Sequence, residues 1–134
     1  MKTLLLTITL LASTTLFSKD VVYDGTTKLL WQDANDNKAL SITYAEAEDY
    51  CSKLVIGEYK DFRIPTLYEL QTIIDYRNYK PAILTGFKYA ANQMYWSSTP
   101  FVDDTRDVWL INFTKGSRNA KAKHYDRNIR CVQK

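Results

Sequence analysis

Histidine occurs once in this sequence, at position 124, and cysteine only twice, at 51 and 131. There is no CxxC pair and no Cys/His cluster, so a zinc site has no ligand set. No serine or cysteine stands in a nucleophile motif that His124 would serve. Asp126 shares a face with His124 where the segment is extended, but without a marked nucleophile the pair does not define an enzyme. The expectation is a non-catalytic protein with no cofactor. Low-complexity tracts, Pro/Gly linkers and internal repeats are also missing, which excludes tethers and solenoids.

Long apolar runs are absent beyond residue 17. The one that exists, Leu4 to Phe17, follows Met1-Lys2-Thr3, precedes the charged pair Lys19-Asp20, and is diluted by five threonines and serines. It falls short of the ~20 apolar residues that cross a bilayer and has the pattern of a cleavable signal peptide over residues 1–18. No cysteine follows it to take a lipid. The remainder, 19–134, is near the usual size of one domain. A secreted or periplasmic location follows, with no permanent membrane span.

An oxidising destination and two cysteines leave one intramolecular pairing, Cys51 with Cys131. Closing a loop of that length stabilises a fold by about 4–5 kcal/mol in the chain-entropy account. Acidic residues are scarce at the C-terminal end. From Lys115 onward the chain carries Lys115, Arg118, Lys121, Lys123, Arg127, Arg130 and Lys134 against Asp126 alone, whereas the segment before it is mildly acidic. Clustered cations pair with sulfate or phosphate, and arginine does so through two parallel hydrogen bonds. The same charges also fit the ordinary solvated face of a surface strand.

Local patterning predicts the elements. Val21-Val22-Tyr23 and Leu29-Leu30-Trp31 flank an Asp24-Gly25 turn and predict a β-hairpin; Asp33 to Lys38 reads as a polar loop. Thr43 with Glu46 and Thr66 with Glu69 have capping-box spacing. They predict helices over 44–55, with Ala47, Tyr50, Cys51 and Leu54 inward and Gly57 as the stop, and over 67–75, burying Leu67, Leu70, Ile73 and Ile74. Residues 76–93 have no sustained period. Tyr95-Trp96, Val108 to Phe113 and Ile129 to Val132 read as strands, making the fold class α+β.

Three blocks are more specific than any periodicity: Asp61-Phe62-Arg63-Ile64-Pro65-Thr66, Tyr95-Trp96-Ser97-Ser98-Thr99 and Arg130-Cys131-Val132. With Asp24, Thr27, Leu29, Trp31-Gln32, Glu46-Ala47, Tyr50-Cys51, Leu54, Glu69-Leu70, Asp75, Val108, Phe113 and Gly116, they resemble the C-terminal domain family of the Lcl collagen-like adhesins in order. Lys28 replaces a usual glycine, Tyr44 and Phe62 usual tryptophans, and Ile64 a leucine. The resemblance implies a C-type-lectin-like fold, two helices on small antiparallel sheets, with a helix tied by disulfide to the last strand. It also implies a bacterial surface or periplasmic protein, whose best-understood relatives bind sulfated polysaccharides and help cells adhere, while most members have no assigned function. The chain has no Gly-X-Y tract, so a collagen-like stalk is absent.

The expected function is an exported module for anionic glycan, with Lys115, Arg118, Lys121, Lys123 and Arg127 as contacts and no nucleic-acid partner. The alternative is an envelope scaffold working through protein contacts. Ten tyrosines and three tryptophans supply flat faces for sugars. Trp31 and Trp96 read as core, and Tyr89, Trp109 and Tyr125 as surface candidates. Asp33, Asn35 and Asn37 start like an EF-hand loop, but Lys38 and Tyr44 occupy its glycine and closing glutamate positions. The calcium triplets of sugar-binding lectins are missing. Asp103, Asp104 and Asp107 are a candidate cation cluster, or else partners of Arg106.

Overall fold

The computed structural model describes residues 20–134; the expected leader lies outside the described residues. The elements in chain order are β1 (Val21–Asp24), β2 (Leu29–Gln32), α1 (Asp36–Ala39), β3 (Ser41–Ile42), α2 (Tyr44–Lys53), α3 (Leu67–Gln71), β4 (Met94–Pro100), β5 (Asp107–Asn112), β6 (Ser117–Ala122), β7 (Arg127–Asn128) and β8 (Val132–Gln133). They build a three-stranded sheet, β1-β2-β8, and a five-stranded one, β3-β7-β4-β5-β6. All pairings are antiparallel except β4 with β7, which meet at Tyr95 and Asn128 in parallel. The architecture is α+β with small sheets, few helices and one disulfide.

Strand alternation makes the larger sheet two-faced. Trp96, Val108 and Leu110 point into one core with Ala47, Cys51, Phe62 and Ile129. Tyr95, Ile111 and Phe113 belong to the other core, with Trp31, Leu70, Ile73 and Val132. Helix α2 therefore covers one face and α3 the other. Trp31 and Trp96 are fully buried, as expected of core residues.

Both capping boxes form: Thr43 and Thr66 accept from the amides of Glu46 and Glu69, and those carboxylates accept from the cap amides in return. The helix ends differ from expectation. Helix α2 stops at Lys53, with extended Leu54 as its cap, and Gly57 (φ 59°) turns the chain between Ile56 and Tyr59 instead. Helix α3 ends at Gln71, not residue 75, where the Thr72 hydroxyl donates to the Glu69 carbonyl and tightens the last turn. Ile73 is still buried, but in the turn that follows.

The polar loop expected at 33–38 is half helix. Asn37 in α1 is fully buried and donates to the Gln32 side chain (2.8 Å) and the Ile129 carbonyl (3.0 Å). The expected strand over 129–132 is interrupted, because here the chain passes from the larger sheet (β7) to the smaller (β8). Strand β6 has no apolar alternation to announce it, being the outer strand with one neighbour.

The disulfide joins Cys51 of α2 to Cys131, which immediately precedes β8, across 80 positions of sequence, and both cysteines are buried. One residue earlier, the guanidinium of Arg130 is also buried. It donates to the carbonyls of Gln32 and Tyr89 and to the Asp33 carboxylate (3.2 Å), and lies over the Phe87 ring at 4.8 Å. Asp33 in turn accepts from the amides of Lys88 (2.9 Å) and Tyr89 (3.0 Å). The irregular segment 76–93 is thus anchored from both ends of the chain.

Candidate functional site

The blocks that carry the family resemblance are occupied by architecture. Arg63 exchanges backbone hydrogen bonds with Val132 (2.9 Å each) and holds Glu69 through two contacts of 2.6 and 2.7 Å. Phe62 and Ile64 are core, and the Pro65 carbonyl accepts from Ser98 at 2.8 Å. In the Tyr-Trp-Ser-Ser-Thr block, the Trp96 indole donates to Ile42 (2.8 Å), Ser97 donates to Trp109 (2.6 Å), and Thr99 accepts from Leu67 (2.9 Å). Arg130, counted among the surface charges by sequence, belongs to this framework and not to any binding face. Burial pulls its pKa down, and neighbouring Tyr95 and Asp33 oppose that shift.

The five proposed contact residues lie elsewhere: Lys115 in the turn before β6, Arg118 and Lys121 on β6, Lys123 just after it, and Arg127 apart from that edge in β7, between β3 and β4. Lys115 and Arg118 are exposed; Lys121, Lys123 and Arg127 are half-buried. Among the described residues none of the five has a carboxylate in ion-pair range; the ion pairs that form use Lys53, Arg63, Arg77, Arg106 and Arg130. Three are seated on aromatic rings: Arg118 over Trp109 (5.3 Å), Lys123 over Tyr44 (5.1 Å) and Arg127 over Tyr125 (5.5 Å). Such contacts orient a cation without neutralising it.

Register divides the five between the two faces of the sheet. Arg118 pairs with Ile111, whose side chain enters the α3-side core, while Lys121 pairs with Val108 of the α2-side core. Arg127 pairs with Ile42, and the Lys123 carbonyl accepts from the Tyr44 amide (3.1 Å), which places both at the α2 side. The sequence cluster is therefore split between the two faces of the sheet.

On the α3 side, Lys115 and Arg118 line a depression of about 410 Å³ with Gln71, Tyr76, Gly116 and Ser117. Gly116 has φ 83°, and a methyl group there would lie 2.7 Å from Ile74 and 2.9 Å from Tyr76. The lack of a side chain lets the Tyr76 ring lie against the β5–β6 turn while 75% of the residue stays exposed. The Lys80 amide donates to Thr114 (3.0 Å), bringing Tyr79 and Lys80 to the same end of the hairpin. Gln71, Tyr76 and Lys80 were not singled out by sequence reasoning. The available signal was the interleaving of cations and aromatics in Tyr76-Arg77-Asn78-Tyr79-Lys80.

The remaining candidates fall into place individually. Tyr125 is exposed and lies 4.3 Å from the His124 ring. Trp109 is half-buried beneath Arg118 and edge-on to Phe101, and Tyr89 is half-buried with its carbonyl committed to Arg130. Asp104 is gripped by Arg106 (2.9 and 3.0 Å), whose side-chain and backbone hydrogen bonds hold its carboxyl below the usual carboxylate range. Asp103 is exposed. Among the described residues no three His, Cys, Asp or Glu side chains are grouped to hold a metal, and no helix is long and apolar enough to cross a membrane.

Unpaired cations with aromatic seats can offer charge-assisted hydrogen bonds to sulfate, carboxylate or phosphate oxygens. The molecule is thus a small disulfide-braced α+β domain with a basic sheet edge. It belongs to the Lcl C-terminal domain family, whose model matches residues 20–133. No curated protein matches the chain.

Proposed function

We propose that this protein is an exported, non-enzymatic binding module of C-type-lectin-like build that takes anionic glycan at the β6 edge of its larger sheet, in an adhesion-related role. The observation that carries this reading is the set of cations on that edge without carboxylate partners, two of them lining a depression with an exposed tyrosine. The buried disulfide supports export, since such bonds persist in oxidising compartments. The test is a glycan array at low and moderate salt, comparing the native protein with a Lys115→Glu, Arg118→Glu, Lys121→Glu, Lys123→Glu variant. Sulfated and carboxylated glycans should bind the native protein, more weakly in salt and in the variant. A signal indifferent to charge would reject the reading.

A protein-binding scaffold is the second reading, and one feature favours it. Leu40, Ile42, Tyr50, Leu54 and Val55 line an open groove of about 710 Å³ beside α2. Val55 is 65% exposed. Co-purification of one envelope protein, lost on Val55→Glu, would favour this reading over the glycan one.

A further inference from the structure

We infer that the basic edge is two anion sites on opposite faces of one sheet, and that a long polyanion occupies both by crossing the free edge of β6. The inference rests on the anionic-glycan reading and adds to it a stoichiometry and a minimum ligand length.

Three observations carry it. First, Arg118 and Lys121 are an odd number of residues apart in a regular strand, and their partners Ile111 and Val108 enter different cores. Their side chains therefore leave the sheet in opposite directions. Second, each face has its own cation-aromatic pairing, Arg118 with Trp109 on one and Lys123 with Tyr44 on the other. Third, β6 ends the sheet order, so no neighbouring strand separates the faces on that side.

Charged side chains on an outer strand also discourage unwanted strand pairing. That purpose alone requires charge and no aromatic seat, and it does not account for Lys115, which lies in the turn before the strand with Tyr76 and Gln71 beside it. Five residue steps from Arg118 to Lys123 span roughly 17 Å of extended chain. A ligand shorter than the path between the clusters can fill only one of them. A longer ligand links two binding events, and linkage multiplies affinity by about 10²–10⁴ without any new contact.

The experiment is a titration of size-graded heparin fragments into the full-length exported protein, reading stoichiometry and affinity. Short fragments should bind two per protein and long fragments one per protein, with a step in affinity between them. Lys115→Gln/Arg118→Gln should leave one short fragment bound, as should Lys121→Gln/Lys123→Gln, and each should remove the step. These neutral variants change exposed or half-buried side chains, and unchanged thermal unfolding checks that they remain folded. One short fragment per native protein, with affinity rising smoothly with length, would overturn the two-site inference and leave glycan binding standing. No binding at any length would overturn both.

Discussion

Arg130 and Asp33 are 1% and 4% exposed, and together they hold the carbonyl of Tyr89 and the amides of Lys88 and Tyr89. Removing one member of a buried ion pair leaves the other uncompensated, at a cost of about 3–5 kcal/mol. Arg130→Ala should lower unfolding stability by that order in chemical denaturation. Lys115→Gln, at an exposed turn, should stay within about 0.5 kcal/mol of the native protein. The contrast separates two arginine and lysine populations that look alike in sequence. Arg130 sits in the basic C-terminal run, and net charge alone does not distinguish it. Its neighbours in the Arg-Cys-Val block, one a buried cysteine, were the cue that it belongs to the framework.

At the scale of elements, the capping boxes were fully legible because their chemistry is local: a hydroxyl, a carboxylate and two amides within four residues. Helix length was not, since the ends of α2 and α3 are decided by turns that serve tertiary contacts. Glu69 illustrates how such an element responds to pH. Burial would raise its pKa, but the hydrogen bonds from Arg63 and Thr66 overcome this and hold it below the ordinary value. A carboxyl depressed in the folded state contributes stability above its unfolded pKa, about 4.3. That contribution is lost as pH falls through the folded value. Glu69→Gln should therefore reduce stability at neutral pH and flatten its decline on acidification below about pH 4.3, measured by denaturation across a pH series. Strand β6 was illegible as a strand for a different reason: its residues Ser117 to Ala122 are polar or small, and as the outer strand it is held by pairing with β5.

For the whole molecule, the Cys51–Cys131 bond ties α2 to the approach to β8, and with Arg130 beside it the C-terminal strand is fastened to both cores. Pairing was legible because two cysteines admit one partner each. The burial of Cys51 was legible from its place on the inward face of the first capped helix, whereas the division of the five basic residues between two faces depends on a sheet register that no short motif encodes. Cys51→Ala/Cys131→Ala should cost about 2–5 kcal/mol, and should weaken glycan binding through loss of order in the segment from Arg127 to Cys131. On the proposed function, the β6 edge binds polyanion through its unpaired cations. Titration of heparin across a salt series tests it most directly: affinity should fall steeply and continuously as salt rises, because exposed charges are screened. Absence of binding at low salt, or an affinity that salt leaves unchanged, would contradict it.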